Sequence, residues 1–350
     1  VTYLAVGRRH VVDRPERRWD GTIPIAAAIL FLAILAFFAL LGRFYDLSYA
    51  NYQESFLVLK RLPLLLRQIA VNLRGVAFVL KLVVLAALFQ RFHRYQLLIA
   101  VWLGVVAVSA FVQLGGRTEL MLTCLAMLVM YHTRVRRLSV GLVALCGAMA
   151  LLLFAVLGTA RSGARGTETL GFFSYVNEFS VIFGNVYDLS VRKASSQLPT
   201  LDWRFSLADI VALVPRQLLP FERINMSDWY ANTFFSSFAA QGGSLAFGTI
   251  AESVVGAGWP DLIVRASVLG ALAGAIRRLF DRRRDRIWFF VFYNWAYVLI
   301  FEVVRGSTLY NLVPFVYQFL PAAFGCAGLA ALIRLLRGMA RGKRLVEDSS

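Results

Sequence analysis

The stretch TIPIAAAILFLAILAFFALL (22–41) carries no charged residue along its whole length. About 20 apolar residues wound as a helix rise roughly 30 Å, the thickness of a bilayer's hydrocarbon. Working outward from it, further apolar runs occupy 70–90, 97–114, 118–132, 139–158, 258–276, 287–304 and 309–333. The runs are continuous rather than alternating, which argues against a strand-built barrel. Only 16% of the 350 residues are charged and 59% are hydrophobic. A soluble domain would carry about 25% charge. The chain therefore reads as all-α, a polytopic transmembrane helical bundle of about eight spans.

The formal net charge of +17 invites a nucleic-acid reading, which the placement of the charge rejects. Basic residues fall in alternate connections. Arg8, Arg9, Arg14, Arg17 and Arg18 precede the first run, and Arg91 and Arg94 follow the second. Arg134, Arg136 and Arg137 follow the fourth, RRLFDRRRDR (277–286) follows the sixth, and Arg334, Arg337, Arg341, Lys343 and Arg344 follow the eighth. By the positive-inside rule these segments and both ends of the chain are cytoplasmic. The division expected is a basic segment at 1–21, five spans over 22–158, a large periplasmic loop at 159–257, three spans over 258–333 and a cytoplasmic tail at 334–350. Val1 opens the chain without a starting Met or a signal peptide, so an N-terminally incomplete or processed chain is expected.

The large loop is not a plain linker. FFSYVNEFSVIFGNVYDL (172–189) is aromatic and apolar enough for an interfacial helix. SLADIVALVPRQLLPFERINMSDWY (206–230) reads as a short helix broken by Pro215 and Pro220. QGGSLAFGTIAESVVGAGWPDL (241–262) reads as a glycine-broken, re-entrant half-helix. Such irregular backbone survives at membrane depth only inside protein or beside a wet cavity.

Several charges are costly where they stand. Lys60, Arg67, Arg74 and Lys81 recur every seven residues and share a face wherever they share a helix. Pro63 separates Lys60 from the rest. A cation at the centre of a spanning helix costs roughly 2.5–3.5 kcal/mol. Lys81 therefore either faces a water-filled cavity or holds an internal ion pair. On the outer side stand Arg117, Arg161, Arg165, Arg216 and Arg305, with Arg265 in the outer half of the sixth span. Each alone is an ordinary solvated or snorkelling arginine; together they suit a diphosphate, which guanidinium binds in a bidentate fork. Glu252 lies in an apolar segment and needs either an ion pair or a wet, functional setting. His10, His93 and His132 all fall on the cytoplasmic side, which argues against zinc or a histidine base outside. Cys124, Cys146 and Cys326 show no metal spacing and read as packing residues.

Four stretches resemble bacterial O-antigen polymerases of the Wzy type: GGRTELMLTCLAMLVMYH (115–132), LVPRQLLPFERIN (213–225), GGSLAFGTIAESVVGAGWPDLIVRASVLGALAGAI (242–276) and VVRGSTLYNLVPFVYQFLP (303–321). The likeness covers about 111–322 and departs from the pattern at Phe221–Glu222–Arg223, Val255 and Ala257. The resemblance implies an inner-membrane glycosyltransferase, metal-independent and without a cofactor, that joins undecaprenyl-diphosphate-linked oligosaccharides at the periplasmic face. A chain-length regulator would be a further partner. Under it, Glu252, Arg161 and Arg165 are the catalytic candidates. Arg117, Arg216, Arg305, Arg74 and Lys81 are the diphosphate-binding ones. An O-antigen ligase and an anionic-lipid flippase are the competing readings. The first is disfavoured by the missing outer histidine and the second by the lack of paired repeat halves.

Overall fold

A computed structural model describes residues 19–47, 58, 61–113, 116–142, 144–145, 147–149, 178–198, 205, 207–214, 218–221, 224–240, 247–309 and 311–347. Every regular element among them is helical. The principal helices are α1 (Thr22–Phe44), α2 (Leu64–Phe89), α3 (Gln96–Val112), α4 (Gly116–Arg134), α5 (Glu178–Ala194), α6 (Met226–Phe234), α7 (Gly248–Val255), α8 (Trp259–Arg283), α9 (Ile287–Arg305) and α10 (Leu320–Glu347). Three segments are long and apolar enough to cross a membrane: Thr22–Phe44, Leu64–Phe89 and Leu312–Met339.

Helix α2 is the hub. It starts directly after Pro63, whose extended backbone suits the entry to a helix. Every residue from Ala77 to Ala86 is buried, Lys81 included. A helix buried on all faces belongs at the centre of a bundle, and α1, α3, α4, α9 and α10 pack around this one. The outer helices turn large apolar side chains outward: Ile29 and Leu40 on α1, Leu97 and Val108 on α3, Ile263 and Val264 on α8, Phe324 and Leu335 on α10. So broad an exposed apolar surface is at home against lipid rather than water.

The bundle has two chemically different ends. At one, Trp19 Nε1 donates to the Asp285 carbonyl (2.7 Å) and Arg134 Nη2 to the Arg284 carbonyl (2.9 Å). The Arg134 guanidinium also stacks over Trp19 and Phe290, and Arg334 lies 3.7 Å from Asp20. The start of α1, the end of α4, the α8–α9 turn and α10 therefore meet there. The Arg91–Arg94 turn joins them, sharing a cavity with Arg134. At the other end gather α5, α6, α7 and the start of α8. They share a second apolar core of Leu189, Ala208, Met226, Tyr230, Phe247 and Ala251.

One sequence expectation needs correction. RRLFDRRRDR is not a loop, because α8 runs on to Arg283 and only Arg284–Arg286 turn. The region expected as a tail from 334 is helical as far as Glu347, as a continuation of α10. Cationic side chains do not end a helix; near a C-terminus they complement its dipole, and their stems cover apolar surface. In the run expected at 139–158, residues 140–142, 144–145 and 147–149 are helical and 150–158 lie outside the described residues.

Candidate functional site

The glycine-broken segment builds the first polar constellation. Helix α7 ends at Val255, and Gly258, at φ +75°, makes the turn into α8. That backbone suits glycine because it has no Cβ to clash. Pro260 and Asp261 fill the first turn of α8, where neither a missing N–H nor a negative charge is a penalty. One turn further on, Arg265 reaches back to Glu252 (Nη1 to Oε2, 2.8 Å) and holds Asp261 with Nε (3.0 Å). Thr308 adds its backbone N–H (2.9 Å) and hydroxyl (2.6 Å) to the same Glu252 oxygen. Gly248 N–H donates to the Gly306 carbonyl at 2.7 Å and Thr249 to that of Val303 at 3.1 Å. Glu252, only 4% exposed, thereby fastens α7 and α8 to the loop after α9. Both pairs are charge-assisted and shielded from water.

The long segment before α7 is fastened as well. Lys193 closes the C-terminus of α7 by donating to the Val254 (2.6 Å) and Gly256 (2.5 Å) carbonyls, a favourable place for a cation. Asn225 caps α6 by accepting from the N–H groups of Ser227 and Asp228. Asp228 fills the first turn, where its charge complements the helix dipole. Asp188 accepts from Arg192 (2.8 Å) and from the Tyr230 hydroxyl (2.7 Å). Burial pushes the Asp188 carboxyl up, but these two donors outweigh it and hold it below the usual carboxylate range. Burial, then the bond to Asp188, pushes the Tyr230 hydroxyl up.

The second constellation lies inside the bundle. Lys81 is fully buried and forms an ion pair with Glu119 on α4. Of the two settings open to it, it takes the internal pair. The Glu119 backbone carbonyl also accepts from Thr123 (2.8 Å). Nearer the entry to α2, Arg74 Nη2 donates to the Gln113 carbonyl at 2.5 Å. The Gln113 side-chain amide and the second Glu119 oxygen are buried with no hydrogen-bond partner among the described residues. Each such group costs about 1–3 kcal/mol unless something polar meets it.

Of the residues expected from sequence, Arg74, Lys81, Arg117, Glu252 and Arg305 fall among the described ones. Arg117 starts α4 and Arg305 ends α9. These two helices pack together and run in opposite directions, so both positions lie at the end that holds Glu252. Arg161, Arg165 and Arg216 lie outside the described residues. No group of three or more His, Cys, Asp or Glu side chains able to hold a metal occurs among the described residues. No family model, no curated protein and no solved structure matches this chain. The site therefore stands on its own chemistry. The sequence reading set Arg265 among the outer arginines without joining it to Glu252, and it missed Thr308 beside them and Glu119 on Lys81. Arg265 and Glu119 carried a signal, being charges inside apolar runs. Thr308 carried none.

Proposed function

We propose that the chain is a membrane glycosyltransferase that polymerises undecaprenyl-diphosphate-linked oligosaccharide repeat units, working at the periplasmic face of a bacterial inner membrane. The observation that carries this reading is the concentration of shielded charge at the end of the bundle remote from the arginine-rich turns. Glu252, Arg265 and Asp261 meet there, with the backbones of Arg117 and Arg305 at the same end. Departure of a lipid diphosphate gathers negative charge on phosphate oxygens, and fixed guanidinium groups stabilise that charge most where water is excluded. Arg117, Arg161, Arg165, Arg216 and Arg305 are assigned that task, with Arg74 and Lys81 as supports inside the bundle. Glu252 is assigned to orient or deprotonate the acceptor sugar hydroxyl, held in place by Arg265. About eight spans and a periplasmic loop at 159–257 belong to this reading.

The test is made in the native host at matched protein level. Arg161→Glu and Arg165→Glu are expected to abolish long polysaccharide chains while single repeat units still reach the lipid A core. Normal chain-length ladders from both variants would sink the proposal. Substrate held on the cytoplasmic leaflet would point to a flippase, and units that never reach the core to a ligase.

A further inference from the structure

The arginine-rich end contains a cavity of about 510 Å³ between the α2–α3 turn and the end of α4. Cavities of roughly 300–1,000 Å³ are the size that holds small ligands. Its lining divides by chemistry. Phe89 and Phe92 form the apolar side, and Arg91, His93, Arg94 and Arg134 the polar side. No carboxylate lines it.

The turn's own backbone sets this division. Helix α2 ends at Phe89, and a single tight turn at Phe92–Arg94 leads into α3. Arg94 and Tyr95 N–H both donate to the Arg91 carbonyl (2.9 and 3.1 Å), which fixes the turn. The Phe92 ring packs edge-on against Tyr131 of α4, at 5.3 Å between centroids. That contact fixes Phe92 against α4 at the wall of the cavity, while Arg91 is half-buried and Arg94 exposed. Arg134 is a fixed charge, held by the Arg284 carbonyl and by Trp19 and Phe290. Arg91 and Arg94 form no ion pair among the described residues.

Arg91 and Arg94, brought together on one cavity beside Arg134, repel one another, and an anion between them relieves that repulsion. Guanidinium offers five N–H donors in a planar fork that matches phosphate oxygens. The cavity opens where the apolar helices end, the level at which lipid phosphates lie. Its aromatic side matches the glycerol and upper acyl part of a lipid. We propose that this cavity is a phosphate-binding site, taking the headgroup phosphate of an anionic lipid or a free phosphate. It is independent of the transferase proposal, since it lies at the opposite end from Glu252.

The test uses the full chain in detergent with two probes: phosphatidylglycerol in mixed micelles and inorganic phosphate alone. Lipid retention by native mass spectrometry and thermal stabilisation are read for the wild type, Arg91→Gln, Arg94→Gln and the control Arg337→Gln, an exposed charge at the same end. Arg91→Gln and Arg94→Gln are each expected to weaken retention of phosphatidylglycerol over phosphatidylcholine about tenfold, with Arg337→Gln unchanged. Stabilisation by inorganic phosphate, lost in the same two variants, would assign the site to a free anion. Equal loss in all three variants would reduce the effect to general surface charge and overturn the site, as would retention that ignores headgroup charge. Should Arg91→Gln fail to fold, Arg94→Gln alone decides, because the Arg94 side chain is exposed.

Discussion

At the scale of single residues, the costly charges turn out to be matched. Lys81 is fully buried with Glu119 beside it, and its ammonium stands 5.6 Å from the Phe31 ring. Two charges taken out of water lose several kcal/mol of hydration each, and their attraction roughly repays it. Removing one partner strands the other. Lys81→Met is therefore expected to destabilise the protein by about 3–5 kcal/mol. Lys81→Met combined with Glu119→Leu is expected to recover most of the loss, since no buried charge is then unpaired. Unfolding in detergent followed by circular dichroism checks this, and a double variant as weak as the single one contradicts it. If Lys81 also touches substrate, the double variant is stable but inactive, which separates support from catalysis. Glu252 obeys the same physics with Arg265 and Thr308. The cost of both buried charges was legible in the sequence, because a charge inside an apolar run announces itself. Their partners were not, because pairing across 38 residues (Lys81 with Glu119) or 56 (Glu252 with Thr308) depends on which helices pack together.

At the scale of helices, close approach decides what neighbours what. Just before α10 the backbone widens into a π-helical turn at Phe315–Phe319, and this turn packs on α2. The contact is made at Gly75, where a Cβ would stand 2.6 Å or less from three side-chain atoms of Gln318. Alanine at that position in a helix gains about 0.5–1 kcal/mol of backbone entropy, but the clash has to be relieved by moving Gln318. Because Gln318 is long and only partly enclosed, it can swing away at the expense of its packing. Gly75→Ala is expected to be destabilising alone and neutral or stabilising in a Gln318→Ala background. The coupling is read from a double-mutant cycle of melting temperatures, and additive effects would show that the two helices do not meet there. The apolar runs made the existence of the helices legible, and Pro63 and the Gly256–Gly258 break marked two boundaries. The π-helical turn left no periodic mark, and neither did the apolar core shared by α5, α6 and α7, whose residues are scattered from Leu189 to Ala251. The extension of α8 to Arg283 was hidden for the opposite reason, a charge run standing where a loop is usual.

At the scale of the whole molecule, charge and topology give one arrangement by independent routes. The alternating arginine segments were grouped on one side by the positive-inside rule alone. The contacts among Trp19, Arg134, Arg284, Asp285 and Arg334 bring four of those segments to one end of the bundle with no reference to a membrane. The cavity shared by Arg91, Arg94 and Arg134 adds the fifth. The close of α5 lies at the other end, tied through Lys193 to α7. The proposed orientation keeps the arginine cluster on the cytoplasmic side, where both the potential and an anionic inner surface favour it. With Cys124, Cys146 and Cys326 replaced by serine, a single cysteine at Ser195 is expected to react with a membrane-impermeant maleimide in intact spheroplasts. One at Arg284 is expected to react only after permeabilisation. Both positions are exposed, so protection at either reports sidedness rather than burial. Reaction of both in intact spheroplasts would place the two ends on one side and undo the bundle as a membrane-crossing unit. Reversal of the pattern would keep the bundle but place Glu252 on the cytoplasmic side, against the periplasmic site of the proposed function.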